Sequence, residues 1–572
     1  MFLAHGVGGR QDLPIPFAGA VAGAVIALLV SFAALGFLWR EPRLAGIPSY
    51  VIRSSARIPQ IIGLVVAAYF SIGLLFGPDT PENPTAGVFY VLFWVGLVPL
   101  SLVFGPVWRN FNPLRTLHRV ACALLRRDPN QGWKQLSPRV GYWPATIGLL
   151  AFVWLELVAP ARATLPVISI WLSLYALTTL TGAAIYGASW FDKGDAFEAY
   201  STLIGSLSVA GFLPPTHPLG RSRSATPTNT RSTQKRNNRT TTPNDSPTAI
   251  PATSGKKDRP RRSIPNGTPS AISAASGKKD GSRASAPSGS SPAVPAASGK
   301  KDGSRASAPS GSSPAVSAAS GKRGGTRATV PVGSRPDKQR VSHDDAREAR
   351  KQSSDQSSAA TGKLIWRNPL DGMAGLAHAP GLPALVIVLL GSTMYDSLSN
   401  APIWVRFVQD SSLPAPVMGT FGLLVVIGLV LALFLAATTW AGRLGGSSPA
   451  TTAGELAHSL VPIAVGYLIA HYFSLFLFEG QHTLALLSDP LDTGANWLGT
   501  ANWTLQSLGA TPASIAMLQV TVIVIGHVLG TVLAHDRALT LFPRRTAVLG
   551  QIPLMTLMVI YTVAGLLLLF AG

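Results

Sequence analysis

Ten apolar runs set the terms on which this chain can fold: Phe17–Trp39, Gln60–Phe76, Gly87–Val107, Tyr142–Val158, Leu165–Tyr186, Leu382–Leu398, Val417–Trp440, Glu455–Phe478, Ala513–Ala534 and Gln551–Phe570. Crossing a hydrocarbon layer of ~30 Å takes ~20 predominantly apolar residues in a helix. The loops test the count independently. Basic clusters follow the first run (Arg40, Arg43, Arg53, Arg57), the third (Arg109, Arg115, Arg119, Arg126, Arg127, Lys134, Arg139), the fifth and the ninth (Arg537, Arg544, Arg545). Arg443 alone follows the seventh, and the alternate loops carry at most a single Arg162 or Arg406. Basic residues concentrate in cytoplasmic loops, so both termini are expected outside. The first run lacks a basic leader and a small-residue cleavage site, and reads as an uncleaved span. The fold class expected is an all-α integral membrane protein of about ten transmembrane helices, in the plasma membrane.

The net charge of +21 belongs mostly to one segment. Between Arg221 and Lys363 lie 27 of the 47 basic residues but 9 of the 26 acidic ones, a local balance of +18. From Pro214 to Lys363 there is no Phe, Trp or Tyr, and a Ser-Gly-Lys-Lys-Asp unit recurs at Ser254, Ser276 and Ser298, with Ser-Gly-Lys-Arg at Ser320. That composition offers too little apolar surface to offset chain entropy. Three regions result: a membrane region 1–212 with helices one to five, a disordered, low-complexity cytoplasmic insert 213–363, and a membrane region 364–572 with helices six to ten. Charge alone suits the insert to anionic lipid headgroups. The lack of aromatics removes base stacking and argues against nucleic acid. A single cysteine, Cys122, excludes an intrachain disulfide and a zinc-thiolate cluster.

Three local features precede any site. Pro113–Arg127 spaces Leu114, Leu117, Ala121, Leu124 and Leu125 on one face and arginines on the other, the pattern of a helix lying on the cytoplasmic leaflet; His118, among the arginines, reads as solvated. Trp108-Arg109-Asn110-Phe111-Asn112-Pro113 and Trp366-Arg367-Asn368-Pro369 echo each other, with Asn-Pro expected to cap and start a helix. Ser201–Leu213 is mildly apolar and reads as interfacial.

Ionisable groups inside membrane spans are costly and mark candidate functional sites. Five of the ten histidines lie in or beside the eighth and ninth runs: His458, His471, His482, His527 and His535. With ~1.5 Å rise per residue, His458 sits ~5 Å and His471 ~24 Å from the inner end of helix eight, and His527 ~21 Å from the outer end of helix nine. Two groups follow. The inner one holds Glu455, His458, His527, His535 and Asp536, and Glu455-x-x-His458 puts both side chains on one helix face; Glu455 capping a helix start and His535 meeting water are the alternatives. Gly526 and Gly530 around His527 permit close helix contact. The outer one holds His471, Glu479, Gln481 and His482, with Glu156, Asp396, His5 and Asp12 on the same side. Imidazoles with carboxylates suit a divalent metal, whose bound water becomes a hydroxide near neutral pH, with His458, His471, His527 and His535 as ligands and Glu455, His471 and His527 as the groups acting in catalysis. The same groups suit proton relay or ion coupling, and two histidines on neighbouring helices suit haem. No phosphate-cradling Gly-Lys-Ser/Thr loop, Gly-x-Ser-x-Gly elbow, His-Glu-x-x-His or Cys-x-x-Cys occurs.

Several stretches carry a resemblance. His5-Gly-Val-Gly-Gly-Arg10-Gln-Asp12, Trp190-Phe191-Asp192-Lys193-Gly194-Asp195, Gly454-Glu455-Leu-Ala-His458, Ala470-His471-Tyr472, Leu487-Ser-Asp489-Pro490 and Gly526-His527-Val-Leu-Gly530…Ala534-His535-Asp536-Arg537 resemble bacterial, often actinobacterial, membrane proteins called fenitrothion hydrolases. The likeness covers most of residues 1–212 and 364–572 and leaves out the basic insert. It implies hydrolysis of a phosphotriester, here metal-assisted at intramembrane His and Glu groups. A transporter or permease using those groups for ion or proton coupling, and a haem or copper redox module, are the alternatives. Neither a substrate nor a specific cofactor is legible.

Overall fold

The computed structural model describes residues 12–44, 46, 57–213, 363–376 and 378–570. The opening motif from His5 to Gln11 and the insert expected between residues 213 and 363 lie outside them, apart from the strand residues at the insert's two ends.

Twelve helices carry the architecture: α1 (Phe17–Leu38), α2 (Arg57–Phe76), α3 (Thr85–Phe104), α4 (Pro113–Leu124), α5 (Trp143–Leu157), α6 (Leu165–Tyr186), α7 (Ala196–Gly205), α8 (Leu382–Ser399), α9 (Ala415–Gly445), α10 (Pro449–Leu486), α11 (Pro512–Leu541) and α12 (Leu549–Leu569). Among the described residues nine of them, all but α4, α5 and α7, are long and apolar enough to cross a bilayer. At 15 residues α5, expected as a tenth span, is a shorter apolar helix of about 22 Å at the α-helical rise. Large aliphatic side chains face outward, among them Val30, Val65 and Leu429. Only a lipid surface makes so many exposed apolar groups favourable. The protein is an all-helical, multi-pass membrane protein. Among the described residues one short hairpin-like pairing departs from that description: β1 (Ala210–Leu213) runs antiparallel to β2 (Lys363–Trp366), with Leu213 opposite Lys363.

Local chemistry sets the helix ends. The Asn112 side chain accepts from the Leu114 and Arg115 amides and Asn368 from that of Leu370, each with proline next in the chain, as the echoed motif predicts. Thr511 and Ser514 form a reciprocal capping box at the start of α11. Gly187 (φ 74°) and Gly446 (φ 81°) end α6 and α9 in a conformation that side chains with a Cβ resist. Within α10 a 3-10 turn, Ala457–Leu460, precedes Pro462, whose missing amide N–H interrupts the ladder.

Two expectations are revised. Of the stretch Ser201–Leu213, expected to be interfacial, residues 201–205 close the almost wholly buried α7, and Ser206, Leu207 and Ser208 after it are buried too. In α7, Phe197 and Tyr200 pack with Trp94 of α3, Phe152 of α5 and Trp171 of α6 in an aromatic core. α7 is a core helix, too short to span. In α4 the apolar face keeps Leu117 and Leu124 exposed, but Arg115 and His118, expected on the solvated face, are buried. Acidic residues decide this: Arg115 meets Glu198 through two hydrogen bonds (2.6 and 3.1 Å) and Asp192 at 2.8 Å, and Arg109 reaches Asp192 at 3.1 Å. His118 lies beside Cys122, 3.6 Å away, and Phe191.

α10 and α11 pack closely against each other. A Cβ on Gly466 would lie 2.6 Å from the Val522 carbonyl oxygen, and one on Gly526 2.6 Å from that of Pro462. Backbone meets backbone there, as the Gly526/Gly530 spacing predicts.

Candidate functional site

α10 passes α8 and α5 where three spans contribute polar side chains to an otherwise apolar interior. His471, on the buried face of α10, places Nε2 2.7 Å from Asp396 Oδ2 of α8. Its Nδ1 lies 3.2 Å from Ser397 Oγ, the next residue along α8. One imidazole is thus held by two consecutive side chains of one neighbour. Ser397 Oγ lies 2.9 Å from Tyr467 Oη, one turn before His471 on α10. Tyr472, the next residue after His471, points its hydroxyl to Asp396 Oδ2 (3.0 Å) and Glu156 Oε1 of α5 (3.2 Å). Tyr467, Ser397, His471, Asp396, Tyr472 and Glu156 form one continuous hydrogen-bonded chain, and all six are buried.

Proton bookkeeping constrains this chain. A phenol has one hydrogen to donate and an ionised carboxylate has none. Tyr472 can satisfy both carboxyl contacts only if one of them carries a proton and donates it to the phenol oxygen. The second oxygen of Glu156, Oε2, is buried without a hydrogen-bond partner among the described residues. Leaving a buried acceptor unpaired is costly, and a proton on Glu156 lowers that cost. One hydrogen can thus be shared between the two acids through Tyr472 Oη, and His471 Nε2 meets the same Asp396 oxygen as Tyr472 does.

The inner group assembles differently. His458 turns Nδ1 onto the Glu455 carbonyl oxygen of its own helix (2.7 Å). Glu455 instead pairs with Arg537 (3.0 Å). His527 directs Nδ1 to the Ile523 carbonyl oxygen (2.8 Å), and its Nε2 has no partner among the described residues. His535 spans Gln551 Oε1 and the Trp39 carbonyl oxygen, each at 2.8 Å, and Asp536 accepts from the Trp39 indole (3.1 Å) and the Arg43 amide (2.7 Å). His535 and Asp536 thus tie the end of α1 to α11, and neither stands free in water. His458, His471, His527 and His535 do not converge. Among the described residues no three His, Cys, Asp or Glu side chains come together as a metal-ligand group.

The division by depth agrees with the packing. Gln519 donates to the Ala470 carbonyl oxygen, which puts His471 level with the outer part of α11. Gly526 meets Pro462, which puts His527 about 12 Å deeper. Glu479 and His482 stand outside the chain of hydrogen bonds. Gln481 instead clasps Gln506, donating to its carbonyl oxygen and accepting from its amide, both at 3.0 Å. Ser397, Tyr467 and Tyr472 are the contributors that sequence reasoning does not single out; Tyr472 beside His471 and Ser397 beside Asp396 were the available signals. Comparison with protein-family models, curated proteins and solved structures returned no match.

Proposed function

We propose that this protein is a proton-coupled transporter in which Glu156, Asp396 and His471 carry the coupling proton. One observation carries the reading: a buried, unbroken hydrogen-bond chain joins two acids through a single phenol inside a multi-pass bundle. Intramembrane acids and histidines in series are what proton relays are made of. A relay needs access only for protons and water, which suits a site this enclosed. In this reading the chain sits in the plasma membrane with both termini outside. The basic loops lie inside, and the basic insert meets anionic headgroups of the inner leaflet.

The coupling is tested with proteoliposomes loaded with a pH-sensitive dye. A panel of small anions, cations and neutral solutes is added outside, and a transported solute is recognised by the proton movement it triggers. Asp396→Asn is expected to reduce that movement at least tenfold. A solute transported without proton movement, or with coupling intact in Asp396→Asn, would sink the proposal. Orientation is tested on Cys122: a membrane-impermeant maleimide should label it in inverted vesicles and not in intact cells.

A second reading is favoured by a separate observation. Asp396, His471 and Ser397 stand in the order orienting acid, base and nucleophile, with contacts of 2.7 and 3.2 Å. This supports hydrolysis of the kind implied by the resemblance to fenitrothion hydrolases, with serine rather than metal hydroxide attacking. Ser397 Oγ would bond to the phosphorus of a phosphotriester and pass its proton to His471 Nδ1. The P–O bond to the aryl group would break, and water would then release the phosphoryl group from serine. A tagged fluorophosphonate should label wild-type protein and not Ser397→Ala; absence of labelling in both rejects this reading.

A further inference from the structure

Away from the proton chain, a cavity opens where α1 ends beside α11. It measures about 800 Å³ and lies on the face that bears the basic loops. Three arginines border it: Arg40, Arg43 and Arg544. Arg544 is partly neutralised by Glu41 at 2.9 Å. Arg40 and Arg43 have no carboxylate partner in an ion pair among the described residues. Each is held by the open end of α1: Arg40 Nε donates to the Phe37 carbonyl oxygen (3.3 Å) and Arg43 Nη2 to that of Leu38 (2.9 Å). A guanidinium has five N–H donors, so each fork is positioned by one bond and keeps the others. Arg43 also lies over the Trp39 ring at 5.0 Å, and the indole is fixed by Asp536. Asp536 spends the same oxygen on the Arg43 amide, so its charge is already engaged on the helix-end backbone.

Much of the remaining lining is apolar. Phe37, Leu38 and Val548 border the cavity and are exposed, Phe37 and Leu38 at 74% each. Two guanidiniums held at headgroup depth, above aliphatic and aromatic surface that continues down a spanning helix, match an anion with a hydrocarbon tail. A free phosphate lacks the tail, and a zwitterionic lipid sets a cation of its own beside the phosphate, which two guanidiniums without a carboxylate partner disfavour. We propose that this cavity binds one anionic phospholipid, its phosphate on Arg40 and Arg43 and one acyl chain along Phe37, Leu38 and Val548. Basic pockets between spanning helices serve this purpose by ordinary charge and hydrophobic matching.

The test uses full-length protein in phosphatidylcholine nanodiscs doped with photoactivatable phosphatidylglycerol. Crosslinks are expected in residues 37–43 and 539–548. Arg40→Ala with Arg43→Ala should lower that crosslinking at least tenfold, and Arg126→Ala with Arg127→Ala, exposed arginines elsewhere on the basic face, should leave it unchanged. Unlabelled phosphatidylglycerol should compete, whereas added phosphatidylcholine and free glycerol phosphate should not. Crosslinks mapping elsewhere overturn the proposal. Equal competition by glycerol phosphate makes the site one for a soluble phosphate and overturns it too. The wild-type map and the competition need no variant, so a double mutant that fails to fold leaves both tests standing.

Discussion

Arg115 and Glu198 are buried together outside the spanning helices, at 5% and 1% exposure. Burial pushes the Glu198 carboxyl up to about 7, against the pull of Arg115, and Asp195 and Asp192 push it the same way as burial. An acid whose folded pKa exceeds its unfolded value favours the native state below the unfolded pKa and loses that advantage as pH rises through the folded one. Removing Arg115 leaves Glu198 without its main cation. Arg115→Met is therefore expected to cost about 3–5 kcal/mol at pH 8. The loss should shrink toward pH 5, where Glu198 takes up a proton. Thermal unfolding in detergent across that range measures it, and a pH-independent loss would contradict the account. The inward pairing of Arg115 with Glu198 and Asp192 was not legible in the sequence, because the arginines of α4 fit a solvated face equally well by period. The same limit applies to the proton chain. His471, Asp396 and Glu156 announce themselves as ionisable groups in apolar runs. Ser397, Tyr467 and Tyr472 do not, because a hydroxyl in a long apolar run barely changes its hydropathy.

Helices meet where side chains vanish, and α10 against α11 shows how close that contact is. Gly526→Val would drive a branched side chain into the Pro462 carbonyl, 2.6 Å from where its Cβ must sit. Overpacking of this kind costs about 1–3 kcal/mol, and Gly428→Ala, which opens onto empty space, should be neutral. Unfolding temperatures of the two variants in the same detergent check the contrast. This contact could be foreseen from glycine spacing because close approach demands a residue type. The burial of the first half of Ser201–Leu213 could not, since a short, mildly apolar stretch is equally a surface helix, an interfacial one or a core element until its neighbours are known. His482 was grouped with His471 by sequence, yet eleven residues along a helix is ~16 Å of rise, enough to carry it out of the polar chain altogether.

At the scale of the molecule, the pairing of Leu213 with Lys363 brings the two ends of the intervening stretch together. Adjacent strands lie about 4.8 Å apart, so residues 214–362 begin and finish at nearly one point. Replacing them with a four-residue Gly-Ser turn should shift the unfolding temperature by no more than about 2–4 °C, because loop length enters stability only logarithmically, at about 0.6 kcal/mol per doubling. A collapse of folding on that deletion would show that the segment supports the membrane region. The 22-residue units between Ser254 and Ser320 then acquire an evolutionary reading. Slippage during replication adds or removes whole units, and a stretch clasped at its base can absorb each event without moving a single spanning helix. Repeat number is then expected to vary more among related sequences than the two short strands that close the clasp.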